Sequence, residues 1–123
     1  MKYLITGGKG FLGSHLTEKI LNEGHEVVSL DLISPKKLDY FNDWDSYQSV
    51  TDSIMNQNLL NRLIDSSDAV LHLAAIAEPE QYVTSPRKTI EINLRASLNI
   101  IDRIIASKKL FFYSSTSEIY GNR

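Results

Sequence analysis

Glycines near the amino terminus form the motif that is best suited to chemistry in this sequence. The segment from Gly7 to Gly13 reads GGKGFLG and fits two spacings, Gly-x-x-Gly-x-x-Gly from Gly7 and Gly-x-Gly-x-x-Gly from Gly8. Glycines let a turn close tightly and let backbone N–H groups approach a pyrophosphate at a helix N-terminus. Because an ordinary strand-to-helix turn is also rich in glycine, the motif needs its context before it indicates a dinucleotide.

An acidic residue supplies that context. The mostly apolar run Lys2–Thr6 predicts a strand before the glycines, and Glu26–Asp31 predicts a second strand that ends in the carboxylate of Asp31. A carboxylate at this place accepts hydrogen bonds from the adenosine ribose hydroxyls and repels a 2′-phosphate. The pattern therefore favours NAD over NADP, although Asp31 also suits the cap of a turn.

A second polar cluster follows the last apolar run, Leu110–Tyr113. The residues from Ser114 to Glu118 carry four hydroxyls and one carboxylate. Ligands of open parallel sheets bind outside the carboxyl ends of the strands, so these side chains are predicted where a substrate would meet the dinucleotide. Ser114 and Ser115 taken alone are explained equally well by turn formation at a strand end.

Alternating strand and helix patterns place both clusters in one fold class. After the first strand the predicted elements are a helix that ends near Gly24, the strand Glu26–Asp31, a loop over 34–46, a strand at 47–50, a helix over 56–65, a strand at 69–73, a helix from Pro86 to about Ser107 capped by Ser85, and a strand at 110–113. Such alternation predicts an α/β fold, a Rossmann-like doubly wound parallel sheet of about five strands with helices on both faces.

The helices are predicted to bury particular faces. In the first helix the apolar recurrence starts at Phe11 and Leu12 and continues to Ile20. The long helix has one apolar stripe, which consists of Ile90, Leu94, Leu98, Ile101 and Ile105. Its second apolar face consists of Ile92, Ile100 and Ile104. A helix that is apolar on two faces is expected to be buried on two faces.

Composition limits the classes of function. The 123 residues suit a single domain, and 13 basic against 15 acidic residues leave a net charge of −2, so no surface for nucleic acid is predicted. The absence of cysteine excludes disulfides, thiol nucleophiles and thiolate zinc sites, and the three histidines lack metal-ligand spacing. No apolar run is long enough to span a bilayer. We expect a cytoplasmic protein without a metal and without membrane contact.

Four motifs, in their order along the chain, resemble those of the extended short-chain dehydrogenases/reductases. They are the segment from Thr6 to Leu16, the segment from Leu71 to Ala75, Asn93, and the segment from Ser114 to Gly121. This family contains the NAD-dependent epimerases, dehydratases and decarboxylases of nucleotide sugars. The resemblance extends over residues 2–121. It implies that residues 1–123 are an incomplete NAD-binding Rossmann domain without its C-terminal substrate domain.

The resemblance implies a set of residues that bind NAD. They would shape the cofactor turn, hold the adenosine end or line the groove, and they are Gly7, Gly10, Phe11, Leu12, Gly13, Asp31, Asp52, Ala74, Ala75 and Ser114. Within this set Asp31 would hold the ribose. Asp52 would lie beside the adenine, although Thr51 stands where the family usually has glycine. Asn93 would have a mainly structural role, or would lie on a solvated helix face.

The same resemblance implies a site for a nucleotide sugar, and for a UDP-sugar most of all. Thr116 aligns with the family's catalytic Ser/Thr, which hydrogen-bonds the sugar hydroxyl that is oxidised. The segment Thr116-Ser117-Glu118 resembles the corresponding segment of UDP-glucuronate decarboxylases and of GDP-mannose dehydratases, and the carboxylate of Glu118 suits proton transfer. The glycine turn argues against the dehydratases, which typically depart from its pattern. Pro79 and Tyr82 resemble the substrate-side segment of the decarboxylases, although Tyr82 would equally suit the packing of a loop.

The implied reaction begins with hydride removal from the sugar C4 to NAD, and the family completes it with a Tyr-x-x-x-Lys pair. In this sequence no tyrosine is followed four positions later by lysine. The chain is therefore expected to have no turnover by itself. A non-catalytic NAD-binding or regulatory module, or the product of a decayed gene, is the alternative.

Self-association is a further expectation. The strand Leu110–Tyr113 would form a flat apolar edge, and the long helix would expose part of its second apolar face. The resemblance implies that this helix forms a dimer contact. We therefore expect a homo-oligomer.

Overall fold

The strands of the protein form one parallel sheet. A computed structural model describes residues 1–33, 41 and 43–121. Within these residues the sheet has five strands, which are β1 (Lys2–Thr6), β2 (Glu26–Asp31), β3 (Tyr47–Thr51), β4 (Ala69–His72) and β5 (Leu110–Tyr113). Their order in space is β3-β2-β1-β4-β5, and every neighbouring pair is parallel. The direction of winding reverses between β1 and β4, the place where such sheets bind ligands.

Helices cover both faces of this sheet. They are α1 (Phe11–Asn22), α2 (Gln57–Asp65), α3 (Pro79–Thr84), α4 (Pro86–Ile90) and α5 (Ser97–Ser107), with a π-helical segment (Glu91–Ala96) between α4 and α5 and a 3₁₀ turn (Ser117–Tyr120) after β5. On one face α1 buries Ile20 and Leu21 in the core. On the other face α2 and α5 bury Leu60, Ile64 and Ile100. The predicted Rossmann-like fold is confirmed.

The connection between β2 and β3 is described in part. Of the loop predicted over 34–46, residues 34–40 and 42 lie outside the described part of the chain. Phe41 is 1% exposed, and its ring centroid lies 5.4 Å from that of Tyr47. Phe41 therefore packs into the core of its own domain.

The buried face of α1 differs from the predicted one. Phe11 and Leu12 are 83% and 51% exposed, whereas Gly13 and Ile20 face the sheet. The reason lies at Gly13, because a side chain there would run into the carbonyl group of Gly7. The start of the helix must therefore turn residue 13 inward. Since an α-helix has 3.6 residues per turn, residue 11 then lies on the opposite side.

The helix predicted from Pro86 to Ser107 is not a continuous α-helix. Its middle, Glu91–Ala96, is π-helical, and the short helix α3, which the sequence did not indicate, precedes it. Ser85 occupies the predicted N-cap position, but its side chain makes no capping hydrogen bond. A π-helical turn changes the helical register. A sequence with apolar residues on both helix faces does not reveal such a change.

One of the two apolar faces of this helix is buried. Ala96, Ile100 and Ile104 pack against the sheet. The other face is more than half exposed at Ile90, Leu94, Leu98 and Ile105. Burial on both faces was the wrong prediction for the described residues. The expected exposure of the second face was also wrong, because Ile100 and Ile104 of that face are buried and the exposed residues belong to the first stripe. Among these residues no helix is both long enough and apolar enough to cross a membrane.

Candidate functional site

The glycine turn between β1 and α1 has no room for side chains at three of its positions, Gly7, Gly8 and Gly13. Gly7 has φ +72°, and a Cβ atom on it would lie 2.8 Å from the Ala74 nitrogen. A Cβ atom on Gly13 would collide with the Gly7 carbonyl and the Gly8 backbone. The turn is closed by a hydrogen bond from the Gly10 N–H to the Gly7 carbonyl at 3.1 Å, and the Gly7 N–H joins it to β2 by donating to the Leu30 carbonyl at 2.8 Å. Glycine is required here by close backbone packing.

The first turn of α1 presents backbone donors without a side-chain cap. Gly10 is the N-cap residue and has extended backbone angles, and the first turn contains no acidic residue. The first N–H groups of an α-helix have no partner within the helix, and they carry the positive end of its dipole. Phe11, Leu12 and Gly13 therefore contribute their amide groups to a place that suits an anion.

Two carboxylates lie at the ends of β2 and β3. Asp31 accepts hydrogen bonds from the Lys9 N–H at 3.0 Å and from the Ile33 N–H at 3.3 Å. Asp52 accepts from the Asn56 side-chain amide at 3.0 Å, and its own N–H donates to the Asp31 carbonyl at 3.0 Å. Each Asp31 oxygen keeps lone pairs for further donors, because a carboxylate oxygen accepts more than one hydrogen bond.

These groups line one cleft of about 440 Å³, which we call the first cleft. Among the residues predicted to bind NAD, it brings together Gly7, Gly10, Asp31, Asp52, Ala74 and Ala75. The cleft also contains Leu32 and Ile33, which are 62% and 59% exposed, and the side chain of Ile54. Sequence reasoning missed these apolar walls. Apolar residues placed directly after the end of a strand were the signal that could have found Leu32 and Ile33.

A second cleft of about 560 Å³ lies beside the first one. It contains Tyr82, Ser114 and Thr116 from the predicted site, together with Asn93. Both clefts are lined by Leu73–Ile76, which we call the shared wall. Because the wall belongs to both clefts, its position affects both.

The remaining predicted residues are placed differently. Pro79 is the exposed first residue of α3, and neither Pro79 nor Ser117 lines either cleft. Glu118 lies in the 3₁₀ turn, and its side chain is outside the described part of the chain. Ser114 directs its N–H and its hydroxyl to the His72 carbonyl, at 3.5 and 3.4 Å. These bonds close the end of β5 against β4.

Beneath the shared wall lies a buried polar group, the imidazole of His72. His72 is 2% exposed, with Nδ1 2.6 Å from Thr6 Oγ1 and Nε2 2.9 Å from Ser97 Oγ. Burial lowers the pKa of His72 from 6.5 to about 4. The imidazole is therefore neutral at neutral pH. Its polar character in an otherwise apolar strand was the only trace of this network in the sequence.

Comparison with known proteins identifies the family. The model of the NAD dependent epimerase/dehydratase family matches residues 3–123. This chain belongs to that family. The NAD dependence of the family agrees with the cofactor predicted from the glycine turn and Asp31.

Curated members of the epimerase/dehydratase family include decarboxylases. The chain is 35% identical over 119 residues to UDP-N-acetyl-alpha-D-glucosaminuronate decarboxylase of Bacillus cytotoxicus, and the matched region covers 96% of this chain and 37% of that protein. It is 33% identical over 121 residues to UDP-glucuronic acid decarboxylase 1 of Danio rerio, and the matched region covers 98% of this chain and 28% of that protein. The chain thus spans about a third of the length of these relatives.

Solved structures of the family share the fold. UDP-glucose-4-epimerase of Stenotrophomonas maltophila, with bound NAD and formylated UDP-arabinopyranose, aligns with a TM-score of 0.88 and 26% identity over 100% of this chain and 39% of that one. UDP-glucose 4-epimerase of Thermotoga maritima, with UDP-glucose, aligns with a TM-score of 0.81 and 30% identity over 94% of this chain and 38% of that one.

Proposed function

We propose that this chain is the NAD-binding portion of an enzyme that modifies a nucleotide sugar. The observation that carries the proposal is the first cleft, which is lined by Gly7 of the tight glycine turn, by Gly10 at the N-terminus of α1, which has no side-chain cap, and by Asp31. The turn and the helix amides suit a pyrophosphate. The carboxylate suits the ribose hydroxyls. The residues present therefore fit NAD.

The charge of the first cleft favours NAD over NADP. Asp31 and Asp52 both line the cleft, at the carboxyl ends of β2 and β3. A 2′-phosphate placed beside Asp31 would bring two negative charges together, and like charges at short distance repel strongly where water is partly excluded. Asp31 is held in place by the N–H groups of Lys9 and Ile33, so it cannot turn away without losing both hydrogen bonds.

We place the sugar nucleotide in the second cleft. NAD, when bound, would accept a hydride from the sugar C4 and return it later in the reaction, so that oxidation of this hydroxyl is transient. Thr116 and Tyr82 line the cleft and offer hydroxyls to the sugar. Ser117 and Glu118 follow Thr116 directly in sequence, and the carboxylate is assigned to proton transfer. The decarboxylases among the relatives, together with the order Thr116-Ser117-Glu118, favour decarboxylation of a UDP-sugar over epimerisation.

Turnover is proposed to need more than these residues. A Tyr-x-x-x-Lys pair, which the resemblance implies for proton transfer, does not occur in the sequence. We therefore propose that the chain binds NAD and is inactive alone. The alternative is a non-catalytic NAD-binding module. A cytoplasmic location stays a prediction from the sequence.

A second copy of the chain is the proposed protein partner. Ile90, Leu94 and Leu98 line an exposed apolar groove on α4, the π-helical segment and α5. Charges of both signs, among them Arg95 and Asp102, border this groove. When two copies meet about a two-fold axis, the same surface of each copy faces its counterpart on the other copy. A surface with charges of both signs can then form two equivalent attractive pairs, in which Arg95 of each copy lies near Asp102 of the other.

Calorimetric titration with NAD and NADP tests the cofactor assignment. We expect the chain to bind NAD more tightly than NADP, and Asp31→Asn to weaken NAD binding by roughly tenfold, because hydrogen bonds to a charged group are strong. Asp102→Asn makes the same chemical change on α5, away from the first cleft, and is expected to bind like the unaltered chain. Failure to bind NAD at millimolar concentration would overturn the proposal. Equal NAD affinity of Asp31→Asn would overturn the role of Asp31.

Saturation-transfer NMR separates the enzyme portion from a non-catalytic module. With NAD present, we expect signal transfer to the sugar protons of UDP-glucuronate. A module that binds NAD alone would show transfer to NAD and none to the UDP-sugar.

A further inference from the structure

The buried hydrogen bonds around His72 connect four elements of the fold. Thr6 ends β1, His72 ends β4, Ser97 begins α5, and Asn93 lies in the π-helical segment. Thr6, His72 and Ser97 are at most 5% exposed. Water therefore does not compete for these bonds, and each donor needs a partner within the protein.

Donor accounting assigns the direction of every bond. Ser97 has one hydroxyl proton, which it donates to the Asn93 carbonyl at 2.9 Å. Ser97 Oγ must therefore accept from Nε2–H of His72. A neutral imidazole carries one N–H group, so Nδ1 accepts the hydroxyl proton of Thr6. The network fits one tautomer of a neutral histidine.

Both ends of the network terminate on the shared wall. At one end Thr6 Oγ1 accepts from the Ala74 N–H at 3.4 Å. At the other end the Asn93 side chain donates to the Ile76 carbonyl and accepts from the Ile76 N–H, each at 2.8 Å. Ala74 also packs directly on Gly7 of the glycine turn. The shared wall is thus hydrogen-bonded to the network at two residues, Ala74 and Ile76, and both connections lead through the network to the imidazole of His72.

We propose that His72 is a positioning residue that sets the place of the shared wall and thereby controls the affinity of the first cleft for NAD. This inference rests on the proposed function, since it assigns the wall to dinucleotide binding. His72 itself does not line the first cleft, so it acts through Thr6 on Ala74 and through Ser97 and Asn93 on Ile76.

Protonation of His72 would break this arrangement. With a proton on Nδ1, the imidazole would donate towards Thr6, and the Thr6 hydroxyl could no longer donate to it. The groups that face His72 are the hydroxyl of Thr6 on β1, the hydroxyl of Ser97 on α5 and the ring of Tyr113 on β5, whose centroid lies 5.6 Å away. Burial among these groups favours the neutral form that the network needs.

Two matched pairs of variants test the inference in the 123-residue chain. Ser97→Ala and Ser67→Ala each remove a buried hydroxyl that donates to the helix carbonyl four residues earlier. Thr6→Val removes the hydroxyl and keeps the side-chain shape, whereas Thr6→Ser keeps the hydroxyl. We expect Ser97→Ala and Thr6→Val to weaken NAD binding by roughly tenfold, the loss of about one hydrogen bond. Ser67→Ala and Thr6→Ser are expected to bind NAD like the unaltered chain.

NMR provides the readout that a merely structural role would not move. The imidazole ¹⁵N shifts of His72 are expected to show Nε2–H and unprotonated Nδ1 from pH 6 to 8. Amide exchange is expected to accelerate selectively at Ala74 and Ile76 in Ser97→Ala and Thr6→Val. It is expected to stay unchanged there in Ser67→Ala.

The outcomes separate this inference from the proposed function. Loss of NAD binding already in the unaltered chain would overturn the proposed function, and with it the claim on NAD affinity. Unaltered NAD affinity in both Ser97→Ala and Thr6→Val would overturn the inference alone. So would an Nδ1–H tautomer, or an affinity loss in Ser67→Ala equal to that in Ser97→Ala.

Discussion

Lowering the pH from 7 to 5 is expected to destabilise the protein through one residue, His72. Its pKa is lowered to about 4 in the folded protein, against 6.5 for an unperturbed histidine. The unfolded chain therefore takes up a proton at a higher pH than the folded protein does. The stabilising contribution is fully present above about pH 6.5 and is lost as the pH falls from 6.5 towards 4.

The size of this effect follows from the two pKa values. Each pKa unit corresponds to about 1.36 kcal/mol, so the complete loss, reached below pH 4, is about 3.4 kcal/mol. Between pH 7 and pH 5 the loss is about 2 kcal/mol. Domains are stable by roughly 5–15 kcal/mol, so this is a large fraction of the total. The midpoint of thermal unfolding should fall by roughly 10 °C.

Urea unfolding, followed by circular dichroism at pH 7, 6 and 5, measures this loss. His72→Gln cannot take up the proton, so its free energy of unfolding should depend less on pH by about 2 kcal/mol over this range. His15→Gln removes an exposed histidine of α1 and should keep the steep dependence of the unaltered chain. Carboxylates such as Glu23 and Asp65 titrate in all three proteins and cancel in the comparison. Parallel pH dependences of the unaltered chain and His72→Gln would refute the reasoning.

Two further substitutions address the turn and the exposed helix face. Gly13→Ala should abolish NAD binding and cost about 1–3 kcal/mol in urea unfolding, because its methyl group meets the Gly7 carbonyl. Gly24→Ala, in open space at φ +78°, should cost about 1 kcal/mol and leave NAD binding intact, and equal NAD affinity of the two variants would contradict the steric argument. Leu94→Glu should shift the chain towards monomer in sedimentation equilibrium, whereas Val83→Glu, at an 83% exposed site away from the groove, should not. If the unaltered chain stays monomeric at high concentration, the proposal that a second copy is the partner is wrong.

Local patterns were sufficient to predict the order of the five strands and the positions of α1 and α2, but not α3. The apolar run before Gly7, the glycines themselves and Asp31 lie within 30 residues of one another, so one β-α-β unit is enough to predict their relative positions. The structure places Asp31 and the turn in one cleft. Thr116, which follows the carboxyl end of β5, lines the second cleft.

Contacts between distant segments were beyond such patterns. The partners of His72 are 66 and 25 residues away in sequence, and they meet only because β4 lies beside β1 and beneath α5. The π-helical segment was hidden because apolar residues occupy both faces of the long helix. The orientation of α1 depended on the backbone contact at Gly13, which hydrophobic periodicity does not encode.

The position of β1 at the centre of the sheet has a consequence for the order in which the chain folds during synthesis. Of the five strands β1 is synthesised first, and β2 can pair with it once residue 31 has emerged. Its other edge stays open until β4, which ends at His72, has been made. Non-local pairing of this kind is slow compared with local structure formation. The half of the domain that carries the glycine turn and Asp31 is therefore expected to assemble before the half that completes the shared wall.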